Sequence, residues 1–437
     1  MWTYHPSLLA TPVPRYTSFP TAAEFSPAVT PDDYRAAIAS ISGDVSLYLH
    51  IPFCEKICWY CGCNTGAANR QHRLTSYLDA LHREIALVAE LLPSGSRVTR
   101  IAFGGGSPNA IATLDFVRLM DALVLHFPLD NPTISIELDP RALPGEWSAV
   151  ISGIGITHAS LGVQTFAPHL QQAIGRIQPL DMIERSVALL RQAGIRSLNF
   201  DLMYGLPGQS RADLTDTLDR TVTFGADRVA LFGYAHVPHL IPRQRQIDAG
   251  ALPGQEERFE MAALGYRHLV GAGYKPVGFD HFALPRDPLA QAAQARRLRR
   301  NFQGFTEDQA PVLIGLGASA ISSFPGLLMQ NEKNSGRYRM LLSQGILPGA
   351  LGVRRSAEDQ RRGGIIESLL CDGHARIPPD LRQEATARLK PFLAAGLCRF
   401  RGFSLVIESA GLPYVRSIAA LFDPYRQDSL RRFSSAI

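Results

Sequence analysis

The stretch VSLYLHIPFCEKICWYCGC, residues 45–63, joins an apolar run to a loop with four cysteines inside ten residues. The remaining 427 positions contain only two further cysteines, Cys371 and Cys398, which we expect to be buried fillers. The run VSLYLHIP (45–52) reads apolar on both faces, as a strand of a covered parallel sheet does. The stretch therefore predicts a buried strand that ends in a dense thiol loop.

Five more apolar runs, rich in β-branched residues, follow the first one along the chain. They are TRIAFGG (99–105), TISIELDP (133–140), HASLGVQ (158–164), SLNFDLMYG (197–205) and RVALFGYAH (228–236). Helical periods separate them, for example at Ile183, Val187 and Leu190, with Gly194 as the expected C-cap. A second helical period runs through Leu74, Leu78, Leu81, Ile85 and Val88. Six strand–helix units predict an α/β fold, a partial (βα)6 TIM-like barrel, with its chemistry at the carboxyl ends of the strands.

The regions before and after these strand–helix units lack their alternating pattern. VPRYTSFPTAAEFSP (13–27) is turn-rich, has little periodicity and cannot fold alone. After about residue 335 helices dominate, with two short apolar runs, LCRF and FSLVI. We expect an N-terminal arm (1–38), the partial barrel with an extension (39–335), and a small, mostly helical, winged-helix-like C-terminal domain (336–437).

Composition excludes several classes of protein. With 46% hydrophobic and 19% charged residues, the chain is neither disordered nor fibrous. No apolar run approaches the roughly 18 to 20 residues that a membrane span needs, and the first residues lack a signal-peptide pattern, so we expect a cytoplasmic protein. The net charge of +5 is too modest and dispersed for nucleic acid, and fits an anionic small-molecule substrate.

In a reducing compartment, clustered cysteines more often bind metal or do redox chemistry than form disulfides. Cys54, Cys58 and Cys61 are spaced C-x3-C-x2-C, and Cys63 adds a C-x-C. Three thiolates on such a loop can hold three corners of a cubane iron–sulfur cluster, leaving one iron open to chelate S-adenosylmethionine (SAM) through its amine and carboxylate. The alternative is a zinc knot closed by all four cysteines.

Two other features could belong to the same site. FGGGSP places three glycines at the end of the second strand. Because glycine has no side chain, the backbone there either approaches a ligand closely or simply forms a turn. Glu137 interrupts the apolar run ISIEL, so its carboxylate either faces a cavity or forms a salt bridge under the barrel.

The loop HIPFCEKICWYCGC resembles the radical-SAM signature, and most closely that of the HemN family of oxygen-independent coproporphyrinogen III oxidases. The resemblance runs nearly end to end. It includes PRYTSFPTA, FGGGSP, SIELDPR, SLGVQTF, NFDLMYGLP, GYAHVP, FDHFALP, RRNFQGF, IGLGASAIS and the closing RRFSSAI. Ser107 stands where the family usually has threonine. Phe19 and Phe305 stand where tyrosines are common, and the lack of a hydroxyl argues against a proton or electron relay through these two side chains.

The resemblance implies a [4Fe-4S] cluster on Cys54, Cys58 and Cys61, and two bound SAM molecules. Tyr48, Gly105 and Glu137 are similar to positions that contact the cluster-bound SAM. The positions similar to those lining the second SAM are Tyr60, Gly106, Ser107, Gln164, Arg176, Asp201, Ala235 and Ile321. Among these, the resemblance favours Arg176 and Asp201 as the charged groups for a zwitterionic ligand.

The resemblance also implies the reaction. A SAM-derived 5′-deoxyadenosyl radical removes a hydrogen atom from a propionate of coproporphyrinogen III, CO2 leaves, and two propionates become the vinyl groups of protoporphyrinogen IX. An electron donor such as flavodoxin or ferredoxin is implied, and we expect a monomer with the arm 13–27 covering the barrel mouth. Candidate cations for the substrate carboxylates, each of which could instead be a surface arginine, are Arg243, Arg245, Arg296, Arg297, Arg299, Arg300, Arg431 and Arg432.

Two rival functions share the cysteine spacing. A HemW-like haem chaperone usually follows the loop with Asp-Phe and lacks the arm, and a radical-SAM haem-degrading methyltransferase is the other alternative. Here Gly62 and Cys63 follow the loop and PRYTSFPTA is present, which favours the oxidase.

Overall fold

The computed structural model describes residues 2–68 and 71–426. Within them the strands, in chain order, are β1 (Asp44–Ile51), β2 (Phe53–Cys54), β3 (Gly66–Ala67), β4 (Arg97–Gly105), β5 (Leu129–Leu138), β6 (His158–Gln164), β7 (Ser197–Tyr204), β8 (Arg228–Gly233), β9 (Lys275–Val277), β10 (His281–Ala283), β11 (Arg299–Asn301), β12 (Gly304–Thr306), β13 (Val312–Leu316), β14 (Ile321–Phe324), β15 (Leu327–Asn331), β16 (Gly349–Arg354), β17 (His374–Arg376), β18 (Cys398–Arg401) and β19 (Ser404–Ile407). The helices are α1 (Pro6–Leu9), α2 (Pro31–Ala39), α3 (Gln71–Leu91), α4 (Thr113–His126), α5 (Trp147–Ile154), α6 (Pro168–Ala173), α7 (Leu180–Gln192), α8 (Arg211–Thr223), α9 (Gln255–Gly271), α10 (Pro288–Gln294), α11 (Ser335–Ser343), α12 (Ala357–Asp372), α13 (Pro379–Ala394) and α14 (Val415–Ala419).

The six predicted strands form the parallel centre of one large sheet. Their order is β1-β4-β5-β6-β7-β8, which is also their order along the chain, and every neighbouring pair is parallel. The sheet has two ends, at β16 and β9, so it is open. The α/β fold with a partial barrel is therefore confirmed.

Additional strands extend the sheet beyond these six. On one side β13 pairs in parallel with β1, and β14, β15 and β16 follow as antiparallel strands. On the other side β10 and β9 add antiparallel to β8. The large sheet thus continues past residue 335 to β16, and the division of the chain into three domains stays a prediction.

The helices pack through the apolar positions that set their period. Ile183 and Leu190 of α7 are fully buried and Val187 nearly so, while Gly194 adopts a positive φ of 95° just after the helix, where a left-handed residue ends the turn. On α3, the residues at the predicted period are all buried: Leu74, Leu78, Leu81, Ile85 and Val88. Helix α3 contacts α4 and α11.

The arm and the C-terminal region lie against each other and against the barrel. Val13, Tyr16 and Phe19 of the arm are buried, and the Tyr16 hydroxyl donates to Asp423 Oδ2 at 3.0 Å. After β16, α12, α13 and α14 pack with a three-stranded antiparallel sheet in the order β17-β19-β18. None of the helices within residues 2–68 and 71–426 is both long and apolar enough to cross a membrane.

Candidate functional site

The cysteine loop begins where β2 ends and is fixed by backbone contacts on two sides. The Ser107 amide donates to the Phe53 carbonyl at 2.8 Å, and the Trp59 amide donates to the Ile174 carbonyl at 3.1 Å. Gly175 allows the second contact, because a Cβ there would lie 2.7 Å from the Trp59 ring. The loop is therefore held between the glycine turn after β4 and the segment after α6.

All four loop cysteines, Cys54, Cys58, Cys61 and Cys63, line one cavity of about 630 Å³ at the carboxyl ends of the barrel strands. Eleven of the fourteen predicted site residues line it: Cys54, Cys58, Cys61, Tyr60, Gly105, Gly106, Glu137, Gln164, Arg176, Asp201 and Ala235. The cavity is thus built from the ends of successive strands, as the barrel pattern predicts.

The other three predicted residues lie outside the cavity lining. Tyr48 is buried on β1, with its hydroxyl 3.2 Å from His50 Nδ1. Ser107 is buried in the glycine turn and donates to Asn109 Oδ1 at 2.6 Å. Ile321, on β14, lines a separate cavity.

Two arginines surround the buried Cys58. Arg141 Nη2 and Arg176 Nη1 each donate to its Sγ at 3.2 Å. Both guanidinium groups also pair with Asp139, at 2.6 Å for Arg141 and 3.3 Å for Arg176. Burial opposes ionisation of Asp139, but Arg176 and Arg141 together lower its pKa. Sequence reasoning gave no role to Asp139 and Arg141, although their position directly after the third strand was a usable signal.

The other thiols differ in their tendency to ionise. The pKa of Cys61 is lowered to about 6, first because the Cys63 thiol donates to it, and also because the Cys63 amide does, at 3.4 Å. Burial raises the pKa of Cys54 to about 12. In the described part of the chain, no three His, Cys, Asp or Glu side chains are placed to hold a single metal ion. Cys371 and Cys398 are buried and free, as expected.

The three glycines make close contacts possible at the end of β4. A Cβ on Gly104 would lie 2.6 Å from the Glu137 carboxylate, and one on Gly106 would lie 2.5 Å from the Phe53 carbonyl. Gly105 has φ +110° and approaches the His50 ring, and its amide donates to Glu137 Oε2 at 3.1 Å. Any side chain here would push the glycine turn away from Glu137 and from the cysteine loop.

Glu137 and Asp201 are buried carboxylates that face the same cavity. Burial, together with the smaller effect of the nearby Asp201, raises the pKa of Glu137 to about 7. The pKa of Asp201 is itself raised by burial, while Ser160 and Asn199 donate to its oxygens at 2.9 and 2.8 Å. Among the described residues neither carboxylate forms an ion pair, so the salt bridge considered for Glu137 does not form in this part of the chain.

Gln164 adds a backbone irregularity to the cavity wall. It ends β6 with φ +67°, a left-handed conformation that is uncommon for a residue with a side chain. Such conformations persist where the surrounding structure requires them, often at binding sites.

The candidate arginines have different environments. Arg300 is half-buried over the Phe305 ring at 4.2 Å, and Arg243 donates to Thr65 Oγ1 at 3.1 Å beside the cysteine loop. Arg245, Arg296, Arg297 and Arg299 are exposed. Arg431, Arg432 and the motif RRFSSAI lie outside the described residues. Phe19 and Phe305 are both buried core residues.

The comparisons with known proteins agree with this geometry. Residues 48–221 match the model of the Radical SAM superfamily. The chain is 40% identical over 437 residues to the oxygen-independent coproporphyrinogen III oxidase of Bradyrhizobium diazoefficiens, covering 97% of each chain. It is 36% identical to the oxidase of the same name from Pseudomonas aeruginosa, covering 97% of this chain and 96% of the relative. The solved structure of Escherichia coli coproporphyrinogen III oxidase (HemN), described as a radical SAM enzyme, superposes with a TM-score of 0.91 at 33% identity, over 97% of this chain and 99% of that one.

The fold and the thiol-lined cavity define a radical SAM enzyme. Within that class the chain belongs to the family of oxygen-independent coproporphyrinogen III oxidases, the HemN family. Membership implies a [4Fe-4S] cluster and SAM. The donor set fits the cluster, because the thiols of Cys54, Cys58 and Cys61 line one cavity together with that of Cys63, and two guanidinium groups beside Cys58 offset thiolate charge.

Proposed function

We propose that the chain converts two propionates of coproporphyrinogen III to vinyl groups without oxygen, giving protoporphyrinogen IX in haem biosynthesis. The observation that carries this proposal is the cavity that joins the loop cysteines to Glu137 and Asp201, which form no ion pair within the described part of the chain. Full-length similarity to relatives with this activity in their names supports it. The haem chaperone and the haem-degrading methyltransferase are not favoured, because these relatives match along nearly the whole chain.

Cys54, Cys58 and Cys61 would hold the cluster. When bound, the reduced cluster and SAM supply one-electron chemistry that can remove a hydrogen atom from an unactivated carbon. The chain itself contributes position and charge: Arg141 and Arg176 stabilise the sulfur of Cys58, and Asp139 holds both guanidinium groups in place. The buried loop contacts keep these groups fixed relative to the cavity.

Two SAM molecules are part of the proposal. Glu137, next to the Gly105 amide, would accept the ammonium group of the SAM that contacts the cluster, with Tyr48 behind it. Asp201 and Arg176 would hold the second SAM, with Tyr60, Gly106, Gln164 and Ala235 around it in the same cavity. Ser107 and Ile321, which the resemblance also implies, lie outside this lining, so any contact with SAM would need the cavity to extend to them. Two carboxylates without ion pairs in one cavity support a pair of cationic ligands.

The proposal also includes a cytoplasmic monomer and a one-electron donor such as flavodoxin or ferredoxin. All six cysteines are free, which supports a reducing compartment. The arm would cover the barrel mouth, and the position of Arg15 in the cavity lining supports this role.

Anaerobically reconstituted protein, supplied with SAM, a reductant and coproporphyrinogen III, tests the proposal. We expect a product that has lost two CO2 and four hydrogens from two side chains, and no product when SAM is omitted. Stoichiometric haem binding without turnover would select the chaperone instead. Methyl transfer to haem with ring opening would select the methyltransferase.

A further inference from the structure

A second, smaller cavity of about 60 Å³ lies where the arm, β8, α9 and the C-terminal region meet. Three arginines from distant parts of the chain line it: Arg15, Arg258 and Arg416. Asp280 is the carboxylate in the same lining, and it is hydrogen bonded to His281 Nδ1 at 2.6 Å. We call this the arginine pocket.

The positive charges of the arginine pocket are not balanced by the described protein. Within residues 2–68 and 71–426, none of these three arginines forms an ion pair with a carboxylate. Arg416 is 8% exposed and its Nη1 has no hydrogen-bond partner there, and the buried Nε of Arg258 also has none. Burial and the neighbouring Arg15 lower the pKa of Arg416 to about 10, although Asp280 acts in the opposite direction. A buried cation that has no ion pair is costly, so this arrangement of charges favours an anionic ligand.

The guanidinium groups are nevertheless held in fixed positions. Arg258 Nη2 donates to the Tyr234 carbonyl at 2.7 Å, and Gly205 leaves room for its side chain, since a Cβ there would lie 3.0 Å from Arg258 Nε. Arg15 lies over the Phe232 ring at 4.8 Å, and Arg416 lies over the Phe279 ring at 5.3 Å. Donors fixed before a ligand arrives lose little entropy on binding.

The arginine pocket lies next to the cavity of the cysteine loop. Arg15, Gly233 and Ala235 line both. The pocket has room for a carboxylate at the end of a short chain but not for a ring, so its ligand is the charged side chain of a larger molecule bound in the main cavity. Guanidinium groups recognise carboxylates through paired hydrogen bonds.

We propose that Arg15, Arg258 and Arg416 form a subsite that binds one propionate of the tetrapyrrole substrate. This inference rests on the proposed function, because it takes the substrate to carry propionates. The carboxylate of SAM has the same chemistry, so the test has to separate the two sources.

The test compares Arg416→Gln with wild type, using the reconstituted holoenzyme. The probe is coproporphyrin III, the oxidised and unreactive form of the substrate, titrated by its fluorescence; SAM is titrated separately. We expect tetrapyrrole affinity to fall by about tenfold or more, as for loss of a charge-assisted contact, with SAM affinity unchanged.

Further variants check the same contact. Arg258→Gln should lower tetrapyrrole affinity to a similar extent, and Arg416→Lys should restore part of the affinity. Arg185→Gln is the control, since Arg185 is 69% exposed and pairs with Asp181 on α7.

Each outcome decides the inference separately from the proposed function. Unchanged tetrapyrrole affinity in both glutamine variants, while wild type binds and turns over, overturns the subsite alone. A fall in SAM affinity instead also overturns it, by assigning the carboxylate to SAM. Wild type that binds the tetrapyrrole but makes no product contradicts the proposed function and leaves the subsite supported if the variants lose binding. Circular dichroism checks that the variants fold, and Arg15→Gln, on the arm outside the barrel, replaces any variant that does not.

Discussion

Towards the amino ends of the barrel strands buried arginines are matched by carboxylates, whereas near the carboxyl end of β8 three arginines face one carboxylate. At the amino ends, Glu307 contacts Arg100 at 3.1 Å and Arg228 at 3.3 Å, and Arg228 also contacts Asp287 at 2.7 Å. That set contains two cations and two anions. The arginine pocket, in contrast, contains Arg15, Arg258 and Arg416 with Asp280.

The difference separates two uses of buried charge. A set with equal numbers of cations and anions needs no charged ligand to balance it, so we expect its loss to lower stability. An unbalanced set is completed by a ligand, so we expect its loss to lower affinity while costing little stability. The cysteine loop belongs to the second kind, because its thiols are completed by the cluster.

The largest effect is expected at the cysteine loop. Replacing Cys58 by alanine removes one of three cluster ligands together with the sulfur that Arg141 and Arg176 contact. We expect iron content and turnover to be lost, as measured by iron per chain and by product formed anaerobically. Cys398→Ala, a buried cysteine outside the cavity lining, should keep both. Wild-type iron content in Cys58→Ala would contradict the assignment of this ligand.

At the amino ends, Glu307→Gln should lower stability. The substitution removes the carboxylate that contacts Arg100 and weakens the pairing of Arg228, and all three side chains are at most 16% exposed. We expect the free energy of unfolding in urea to fall by about 3 kcal/mol, the scale for breaking a buried ion pair. Asp181→Asn, in an exposed pair with Arg185, should stay close to wild type. A Glu307→Gln variant as stable as wild type would refute the structural role of this network.

Titration of Glu137 should make the SAM affinity of the main cavity depend on pH. Because burial raises its pKa to about 7, the carboxyl is protonated below that pH in the ligand-free protein. Cationic SAM favours the ionised form, so its affinity should rise with pH, by about tenfold per unit below pH 7, and level off above it. Glu137→Gln should abolish this dependence, whereas the exposed Glu90→Gln should retain it. SAM titrations between pH 5.5 and 8.5 measure it, and an unchanged profile in Glu137→Gln would rule out this group.

The smallest effect is expected where the arm meets the C-terminal region. Tyr16→Phe removes the hydroxyl that donates to Asp423 at 3.0 Å, while the Tyr425 amide still donates to the other oxygen of Asp423. We expect the free energy of unfolding to fall by about 1 kcal/mol, the usual worth of one hydrogen bond. Tetrapyrrole affinity should stay within about twofold, because the buried ring keeps the arm and Arg15 in place. A tenfold loss of affinity would show that this hydroxyl positions the arm.

The sequence predicts the six central strands because each contains an apolar run of the kind found in the strands of a covered parallel sheet. It does not reveal that β13 joins β1 in parallel or that β10 joins β8, because these strands are only three to five residues long and their partners lie far away in sequence. Long segments with a clear hydrophobic pattern can be recognised from the sequence, whereas short strands at the edges of the sheet form through tertiary contacts.

The functional site likewise contains residues that the sequence identifies and residues that only the fold brings together. Cys54, Cys58 and Cys61 are close in sequence and could be found from spacing alone. The arginine pocket could not, because Arg15, Arg258 and Arg416 meet only after the arm and the C-terminal region pack on β8. The sequence offered Arg300 as a candidate cation, and the structure places it near this pocket, over the Phe279 ring that Arg416 also contacts. Burial, which decides whether an arginine is a surface group or a site, is a property of the fold.

The most direct test of the comparison is the thermal unfolding midpoint of Glu307→Gln and Arg416→Gln holoenzymes, each measured with and without coproporphyrin III. A ligand that binds the native state raises this midpoint according to its affinity. We predict that Glu307→Gln has a lowered midpoint with the wild-type increase on adding ligand, and that Arg416→Gln has an unchanged or higher midpoint with a reduced increase. A lowered midpoint with the full ligand-induced increase in Arg416→Gln would contradict the account, because it would make both sets of charges structural.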